Sequence, residues 1–169
     1  MNLYDLNNDN TIINIDGKDI EMKQPICWSK VYDKWLVSKC GKIWSLKYNR
    51  ILKSSGCHGG YKQYCLLVDE EDWWGDGSGV VCTTDRTWKR QIKGHKIVMD
   101  TWAPLYDNPP KGIVWEEWEI VRDLPTVYDH ISKTVVIDHI DDDPQNNHID
   151  NLRRVTQWDN NHTRKSKGI

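Results

Sequence analysis

The sequence contains no phenylalanine, no long apolar run and no excess of positive charge. Ten tryptophans and seven tyrosines are present instead, as in a globular protein whose core is packed with indole and phenol rings. No apolar stretch reaches the roughly 20 residues that a membrane-spanning helix needs, and residues 1–10 lack the basic and apolar parts of a signal peptide. We therefore expect a cytoplasmic protein without a membrane partner. The 169 residues suit one ordinary domain or two very small ones.

The cysteines provide no sign of a metal site or a disulfide framework. There are five of them, an odd number, and no two form a C-x-x-C pair. A disulfide-stapled fold or a structural zinc site would need paired cysteines at regular spacing. We expect reduced thiols.

The net charge of −2 hides a strong segregation of charge along the chain. Acidic residues dominate 1–22 and 69–77, whereas basic residues dominate 30–53, 86–96 and 151–169. Three basic stretches separated by acidic ones can form a single positive face that attracts nucleic acid. The alternative is that they are ordinary solvated surfaces.

The first two thirds of the chain have the pattern of a small antiparallel sheet. Residues 11–22 alternate apolar and polar residues around Asp16-Gly17, which predicts a hairpin with a type I′ turn. Residues 26–68 contain further short alternating segments separated by glycines, and another strand is predicted over 83–90.

A helix is predicted after this sheet, followed by a connector. In residues 94–104 Ile97, Val98, Thr101 and Trp102 fall on one helical face, and Pro104 ends the helix. Residues 105–134 are expected to form a connector with at most one short helix.

The most concentrated polar residues follow a short apolar run near the C-terminus. Residues 134–137 predict a buried strand that delivers Asp138 and His139 at its end. A loop rich in Asp and Asn leads to a second strand, "NLRRV", and then to a helix that starts with a capping box of Thr156 and Asp159. Asn160 and Arg164 share one face of that helix.

Two simpler explanations for this segment are a plain turn and a calcium loop. Counted from Asp141, the sixth position is Asn146 where a calcium loop has Gly, and the twelfth is Leu152 where it has Glu. A plain turn explains the Asp and Asn residues of the loop but leaves Asp138, His139 and Asn160 unexplained.

The segment "DHIDDDPQNNHIDNLRRVTQWDNN" resembles the His-Asn-His (HNH) nuclease motif of the homing-endonuclease branch of the His-Me finger superfamily. Asn151 follows His139 by 12 residues and Asn160 follows Asn151 by nine, which is the spacing of that branch. The resemblance implies an α+β fold: a small antiparallel β-sheet module followed by a C-terminal ββα-metal nuclease motif.

A weaker resemblance extends upstream. "KWLVSKCGKIWSL" is similar to the nuclease-associated modular domain, in which a Tyr precedes a Val-Ser pair and a Gly. Trp35 and Leu36 stand around that Tyr position here. The implied domains are an N-terminal hairpin extension (1–24), a β-rich DNA-binding module ending in a helix (25–104), a connector or insertion (105–131) and the HNH nuclease domain (132–169).

The resemblance also assigns roles. It implies a divalent metal, Mg²⁺ or Mn²⁺, held by the oxygens of Asp138 and Asn160. His139 would deprotonate the attacking water, because histidine can act as a base near neutral pH. Asn151 would tie the loop and hold the orientation of His139. These four residues are the predicted catalytic site.

Double-stranded DNA is the expected partner. The sequence ends soon after the nuclease helix, so target contacts are expected to come mainly from the upstream sheet. Lys and Arg residues of both parts are the candidates for DNA contact: Lys39, Lys42, Arg50, Lys53, Lys62, Arg153, Arg164 and Lys165. The aromatic residues that lie between these basic residues in the upstream sequence, Trp44, Tyr48 and Tyr61, are assigned to core packing.

These residues together predict a metal-dependent homing-type DNA endonuclease, encoded by a phage or mobile element and acting in the host cytosol. A monomer with one Asp138-His139 site should nick one strand. A homodimer that cuts both is the alternative, with Trp115 and Trp118 as a possible dimer face. A DNA-binding or regulatory protein with a relic motif, and a restriction or structure-specific nuclease, are the other possibilities.

Overall fold

The computed structural model describes residues 10–27, 30–68, 80–82 and 88–166. Helices and antiparallel strands are mixed, which confirms the α+β class, and the C-terminal region has the strand, strand, helix order of an HNH motif. None of the helices in these ranges is long and apolar enough to cross a membrane. The predicted acidic loop at 69–77 lies outside the described residues.

The N-terminal hairpin forms as predicted. β1 (Thr11–Ile15) pairs with β2 (Lys18–Lys23), and Ile15 lies opposite Lys18, so the turn consists of two residues. Asp16 and Gly17 have φ values of 53° and 78°, which a type I′ turn requires. Asp tolerates this left-handed conformation better than most residues and Gly adopts it freely.

The hairpin is part of a larger antiparallel sheet, because β2 also pairs with β5 (Trp35–Ser38). In the described part of the chain this sheet has the order β1-β2-β5-β6-β7, with β6 at Ile43–Ser45 and β7 at Arg50–Ile51. A small apolar cluster of Ile15, Met22 and Leu36 packs on one face. Trp44 packs against the same cluster, which confirms its predicted place in the core, whereas Tyr48 is 54% exposed, so the prediction of core packing was wrong for that residue.

A second sheet packs against the larger of the two hydrophobic clusters in the described residues. Its order over the described residues is β10-β11-β9-β8, with strands β8 (Ser55–Gly56), β9 (Lys62–Val68), β10 (Val80–Cys82) and β11 (Trp88–Lys93). β11 matches part of the predicted 83–90 strand, while 83–87 lie outside the described residues. A short pair, β3 (Ile26–Cys27) and β4 (Lys30–Val31), completes the upstream region.

Helix α1 (Gly94–Trp102) follows β11 without a loop. Ile97 and Val98 are fully buried in the core and Thr101 is nearly so, which confirms the predicted apolar face, while Trp102 is half-buried. The Thr101 hydroxyl accepts a hydrogen bond from the Ile26 amide at 3.0 Å, so α1 is tied to β3. α1 is therefore the centre against which the other elements pack.

The connector contains two helices, α2 (Trp115–Arg122) and α3 (Pro125–Thr134), so the prediction of at most one short helix was wrong. The apolar pattern of α2 is weak because four of its eight residues are charged. Trp118 is fully buried and its Nε1 donates to the carbonyl of Tyr106 at 2.9 Å. It cannot belong to a dimer face, whereas Trp115 is 41% exposed.

The C-terminal hairpin pairs β12 (Val135–His139) with β13 (Leu152–Thr156). The predicted strand start at Thr134 was wrong by one residue, since Thr134 ends α3, and residues 135–137 are half-buried instead of buried. Helix α4 (Gln157–Ser166) begins with the predicted cap: the Asp159 amide donates to Thr156 Oγ1 at 3.1 Å. Helix α4 packs against both β12 and β13.

Arg154 attaches this hairpin to α1. Its guanidinium donates to Asp100 at 3.1 Å and to the carbonyl of Ala103, and the side chain is 5% exposed. On a strand, neighbouring side chains point to opposite faces. Arg154 therefore faces the core, which leaves Arg153 on the opposite face together with Asp138.

Candidate active site

Asp138 and His139 stand at the end of β12, and each is only 5% exposed. Both line one cavity of about 450 Å³. The rest of its lining comes from the upstream region and the loop after β12: His58, Gly59, Tyr61, Lys93, Asp142 and Pro144. A buried carboxylate and a buried imidazole in one cavity form the arrangement expected of a catalytic centre.

His139 is held by Asn147. Its Nε2 lies 3.0 Å from Oδ1 of Asn147, a side chain that is 3% exposed. Asn151, to which the sequence assigned this task, makes no hydrogen bond to His139 among the described residues. The loop after β12 instead brings Asn147 to the ring.

Asn151 does tie the loop as expected. Its Nδ2 donates to Asp141 Oδ1 at 2.8 Å and to the Asn146 carbonyl at 2.9 Å, and its Oδ1 accepts from the Asp141 amide at 3.1 Å. The side-chain hydrogen bonds from Asn146 and then Asn151 lower the pKa of Asp141. Asn151 therefore closes the loop on which Asn147 lies.

Arg153 binds Asp138 instead of standing free for DNA. Its Nε and Nη2 donate to Asp138 Oδ2 at 2.9 and 2.7 Å. The pair arises because the two residues lie directly opposite each other in the β12-β13 register. Arg153 offsets the charge of a buried carboxylate, and its predicted contact with DNA stays a prediction.

Asn160 presents an unused oxygen from α4. Its Oδ1 is buried and has no hydrogen-bond partner within the described ranges, and the residue lines a second cavity of about 590 Å³. Tyr61 and Lys93 line both this cavity and the first one. A buried amide oxygen without a donor is costly unless a cation or water satisfies it.

The oxygen donors fit a hard divalent cation. Arg153 occupies Oδ2 of Asp138, and Oδ1 of that carboxylate receives no hydrogen bond from any described residue. In the same ranges no group of three or more His, Cys, Asp or Glu side chains could hold a metal. Asp138 Oδ1 and Asn160 Oδ1 are two oxygens that receive no hydrogen bond from the described residues, and Mg²⁺ commonly keeps several waters beside one or two protein oxygens.

Sequence reasoning missed His95 and Tyr61, which pack around His139. The His95 ring lies edge-on to the His139 ring with centroids 5.2 Å apart, and Tyr61 is 5.7 Å from His139. Burial first, and then the neighbouring His139, Lys93 and Lys96, lower the pKa of His95 to about 3. His95 is therefore neutral at physiological pH. No local motif marks either residue, since only the tertiary fold brings them to His139.

The predicted DNA-contact residues of the upstream sheet differ in their environment. Lys42, Arg50 and Lys53 are exposed. Lys39 pairs with Glu21 at 2.8 Å, and Lys62 donates to the Gln145 carbonyl at 2.9 Å. The last two are therefore already engaged within the protein.

Two further candidates, Arg164 and Lys165, lie on α4, but their side chains are outside the described part of the chain. Arg90, from the basic stretch 86–96, is buried at 5% exposure and cannot contribute to a positive face. Lys93, from the same stretch, is exposed and lines both cavities. Lys93 is a candidate contact that the sequence did not single out.

Residues 129–162 match the family model of the HNH endonucleases, and this segment contains Asp138, His139, Asn151 and Asn160. The structure is also similar to one described as "DNA binding and cleavage by the HNH homing endonuclease I-HmuI", with 19% sequence identity and a TM-score of 0.46. The alignment covers 94% of this chain and 59% of that one, so this chain spans less than two thirds of its length. No curated protein matches the chain.

Proposed function

We propose that this protein is a metal-dependent DNA endonuclease of the HNH homing type that hydrolyses phosphodiester bonds of double-stranded DNA. The observation that supports this most directly is the match of residues 129–162 to the HNH endonucleases. The buried Asp138 and His139 and the unpartnered Asn160 oxygen of the described chain lie within that segment. The buried Asn160 oxygen, which has no partner among the described residues, favours a cation-binding site over a relic motif, because a buried amide oxygen without a donor is costly.

The chain's own residues provide a base and two metal ligands. His139 accepts the proton of the attacking water, whose oxygen bonds to phosphorus while the bond to the 3′ oxygen breaks. Asp138 and Asn160 would hold Mg²⁺ or Mn²⁺, and the bound cation would supply stabilisation of the negative charge on the phosphate and on the departing oxygen. Arg153 keeps the Asp138 carboxylate in place through two hydrogen bonds.

Supercoiled plasmid under single-turnover conditions tests this function. With Mg²⁺ and excess protein we expect open-circular DNA as the first product, because a monomer carries one Asp138-His139 site. Removal of the metal by a chelator should stop the reaction. A protein that only binds DNA would leave the plasmid supercoiled.

The same time course separates nicking from double-strand cleavage. Linear product without a preceding open-circular intermediate, from a protein that sediments as a dimer, would contradict the monomeric nickase. Cleavage mapping on genomic DNA then distinguishes a homing enzyme, with few sites, from a restriction or structure-specific nuclease.

The exposed cations of the upstream sheet are proposed to dock the duplex through its phosphates. Replacing Lys42, Arg50 and Lys53 together by Ala should flatten the slope of log affinity against log salt, since each phosphate contact contributes about 0.9 to that slope. A loss of up to about three slope units is expected if all three contact phosphate. Fluorescence anisotropy with a labelled duplex over a series of salt concentrations measures the slope.

A charge-matched control separates docking from a general change in charge. Lys18, Lys111 and Lys133 are exposed and lie outside strands β5 to β8. Replacing these three by Ala removes the same charge, and the salt slope should stay near that of the unmodified protein. Equal slopes for the two triple variants would show that the sheet is not the docking surface.

A further inference from the structure

The Asn147 side chain lies in a buried site, called its seat below, between the loop that joins β12 to β13 and the residues Gly41 and Gly94 of the upstream region. The residue lies in the loop between β12 and β13, is 3% exposed, and directs Oδ1 to Nε2 of His139 at 3.0 Å. Its surroundings come largely from residues more than 50 positions earlier in the chain. The seat therefore exists only when the upstream sheet packs on the nuclease motif.

Two glycines of the upstream region form the wall of this seat. A Cβ atom on Gly94 would lie 2.4 Å from Nδ2 and 3.3 Å from Cγ of Asn147. A Cβ on Gly41, whose φ is +79°, would lie 3.0 Å from the Asn147 Cβ. The Asn147 side chain therefore packs closely against both glycines, which leave no space for a side chain of their own on this side of the amide.

Hydrogen bonds fix the loop on the same wall. The Ile149 amide donates to the Lys39 carbonyl at 2.8 Å, and Lys62 Nζ donates to the Gln145 carbonyl at 2.9 Å. The Tyr64 hydroxyl donates to the Gly41 carbonyl at 2.9 Å, which steadies the turn that carries Gly41. These contacts hold the loop on both sides of Asn147.

We propose that Asn147, seated against Gly94, is the positioning residue of the general base. This inference rests on the proposed nuclease function of His139. An amide oxygen only accepts hydrogen bonds, so in the neutral ring Nε2 carries the proton and Nδ1 keeps the lone pair. The seat thus selects both the orientation and the tautomer in which His139 can take a proton from water.

The rings packed against His139 support this assignment. His95 packs edge-on to His139 with centroids 5.2 Å apart, and Tyr61 lies at 5.7 Å. His139 contacts both rings and the Asn147 amide, so a shift of Asn147 alters the hydrogen bond that orients His139 among them. A displacement of about 1 Å in a reacting group can cost about 10²-fold in rate.

The first test is the tautomer of His139 in the unmodified protein. Long-range ¹H–¹⁵N correlation spectra of the full chain distinguish a protonated Nε2 from a protonated Nδ1, and the spectrum of His139→Gln assigns the signals. We expect the neutral His139 ring to carry its proton on Nε2. A proton on Nδ1 would overturn the inference, whether or not the protein cleaves DNA.

The second test compares cleavage with binding in two variants. Asn147→Leu keeps the branched shape of the side chain but removes the acceptor, and Gly94→Ala places a methyl group against the Asn147 amide while leaving Asn147 itself unchanged. Both should lower the single-turnover rate of plasmid cleavage by about 10- to 100-fold, as the loss of a group that orients a ligand or base typically does. The dissociation constant for a linear duplex should stay within about threefold.

Gly56→Ala is the matched control for Gly94→Ala. Gly56 has no positive φ, and a Cβ added there would meet no atom of the described residues within 4 Å, so this change should leave the rate unaltered. Thermal unfolding checks that each variant folds, and if Asn147→Leu does not fold, Gly94→Ala decides. A folded Gly94→Ala or Asn147→Leu protein that cleaves at the unmodified rate, or loses binding in proportion to rate, overturns the inference. Absence of cleavage by the unmodified protein would instead refute the proposed function.

Discussion

Replacing His139 with Ala is expected to lower the single-turnover rate of DNA cleavage by about 10²- to 10⁴-fold, the usual contribution of a general base. The dissociation constant for duplex DNA should change by less than about threefold, because the base acts in the transition state and not in ground-state binding. His139 is 5% exposed at the end of a strand, so it can reach a water in the cavity but offers little surface to DNA.

Two companion variants make this result specific. His139→Gln keeps more of the side-chain volume next to His95 and Tyr61 but has no basic nitrogen, so it should be about as inactive as His139→Ala. His130, an exposed histidine on α3, is the control, and its replacement by Ala should leave cleavage unchanged. Cleavage by both His139 variants at the unmodified rate would remove His139 from the mechanism.

Replacing Asn160 with Ala is expected to raise the Mg²⁺ concentration that gives half-maximal cleavage by at least about tenfold, since an oxygen ligand is lost. The buried Oδ1 of Asn160 has no hydrogen-bond partner among the residues that the structure describes, so its removal breaks no contact of that oxygen there. Asp138→Asn should shift the requirement in the same direction, because a neutral amide is a weaker ligand for a hard cation than a carboxylate.

Binding of Mn²⁺, followed by electron paramagnetic resonance, measures the same ligands without cleavage. Both variants should bind Mn²⁺ more weakly than the unmodified protein. Asn161→Ala is the matched control, because Asn161 is the next residue of α4, is exposed, and accepts a hydrogen bond from Gln157 at 3.0 Å. Unchanged Mn²⁺ affinity in Asn160→Ala and Asp138→Asn would contradict their role as metal ligands.

Much of the local structure could be predicted because it depends on residues close in sequence. The Asp16-Gly17 turn, the buried face of α1 and the Thr156 cap of α4 each arise from neighbours within a few positions. The connector was mispredicted because α2 depends on a contact outside the helix. Trp118 is buried and bonds to the carbonyl of Tyr106, and the charged local pattern of α2 does not show this contact.

The sequence was sufficient to predict the strand, strand, helix order of the C-terminal region, the place of Asp138 and His139 at a strand end, and the closing of the loop by Asn151. The partners of those residues could be seen only in the folded chain: Arg153 on Asp138, Asn147 on His139, and His95 and Tyr61 around the His139 ring. Turns, caps and the alternation of side chains depend on residues that are close in sequence. The seat of Asn147, by contrast, forms only when the fold places Gly41 and Gly94, which lie far away in the sequence, against its side chain.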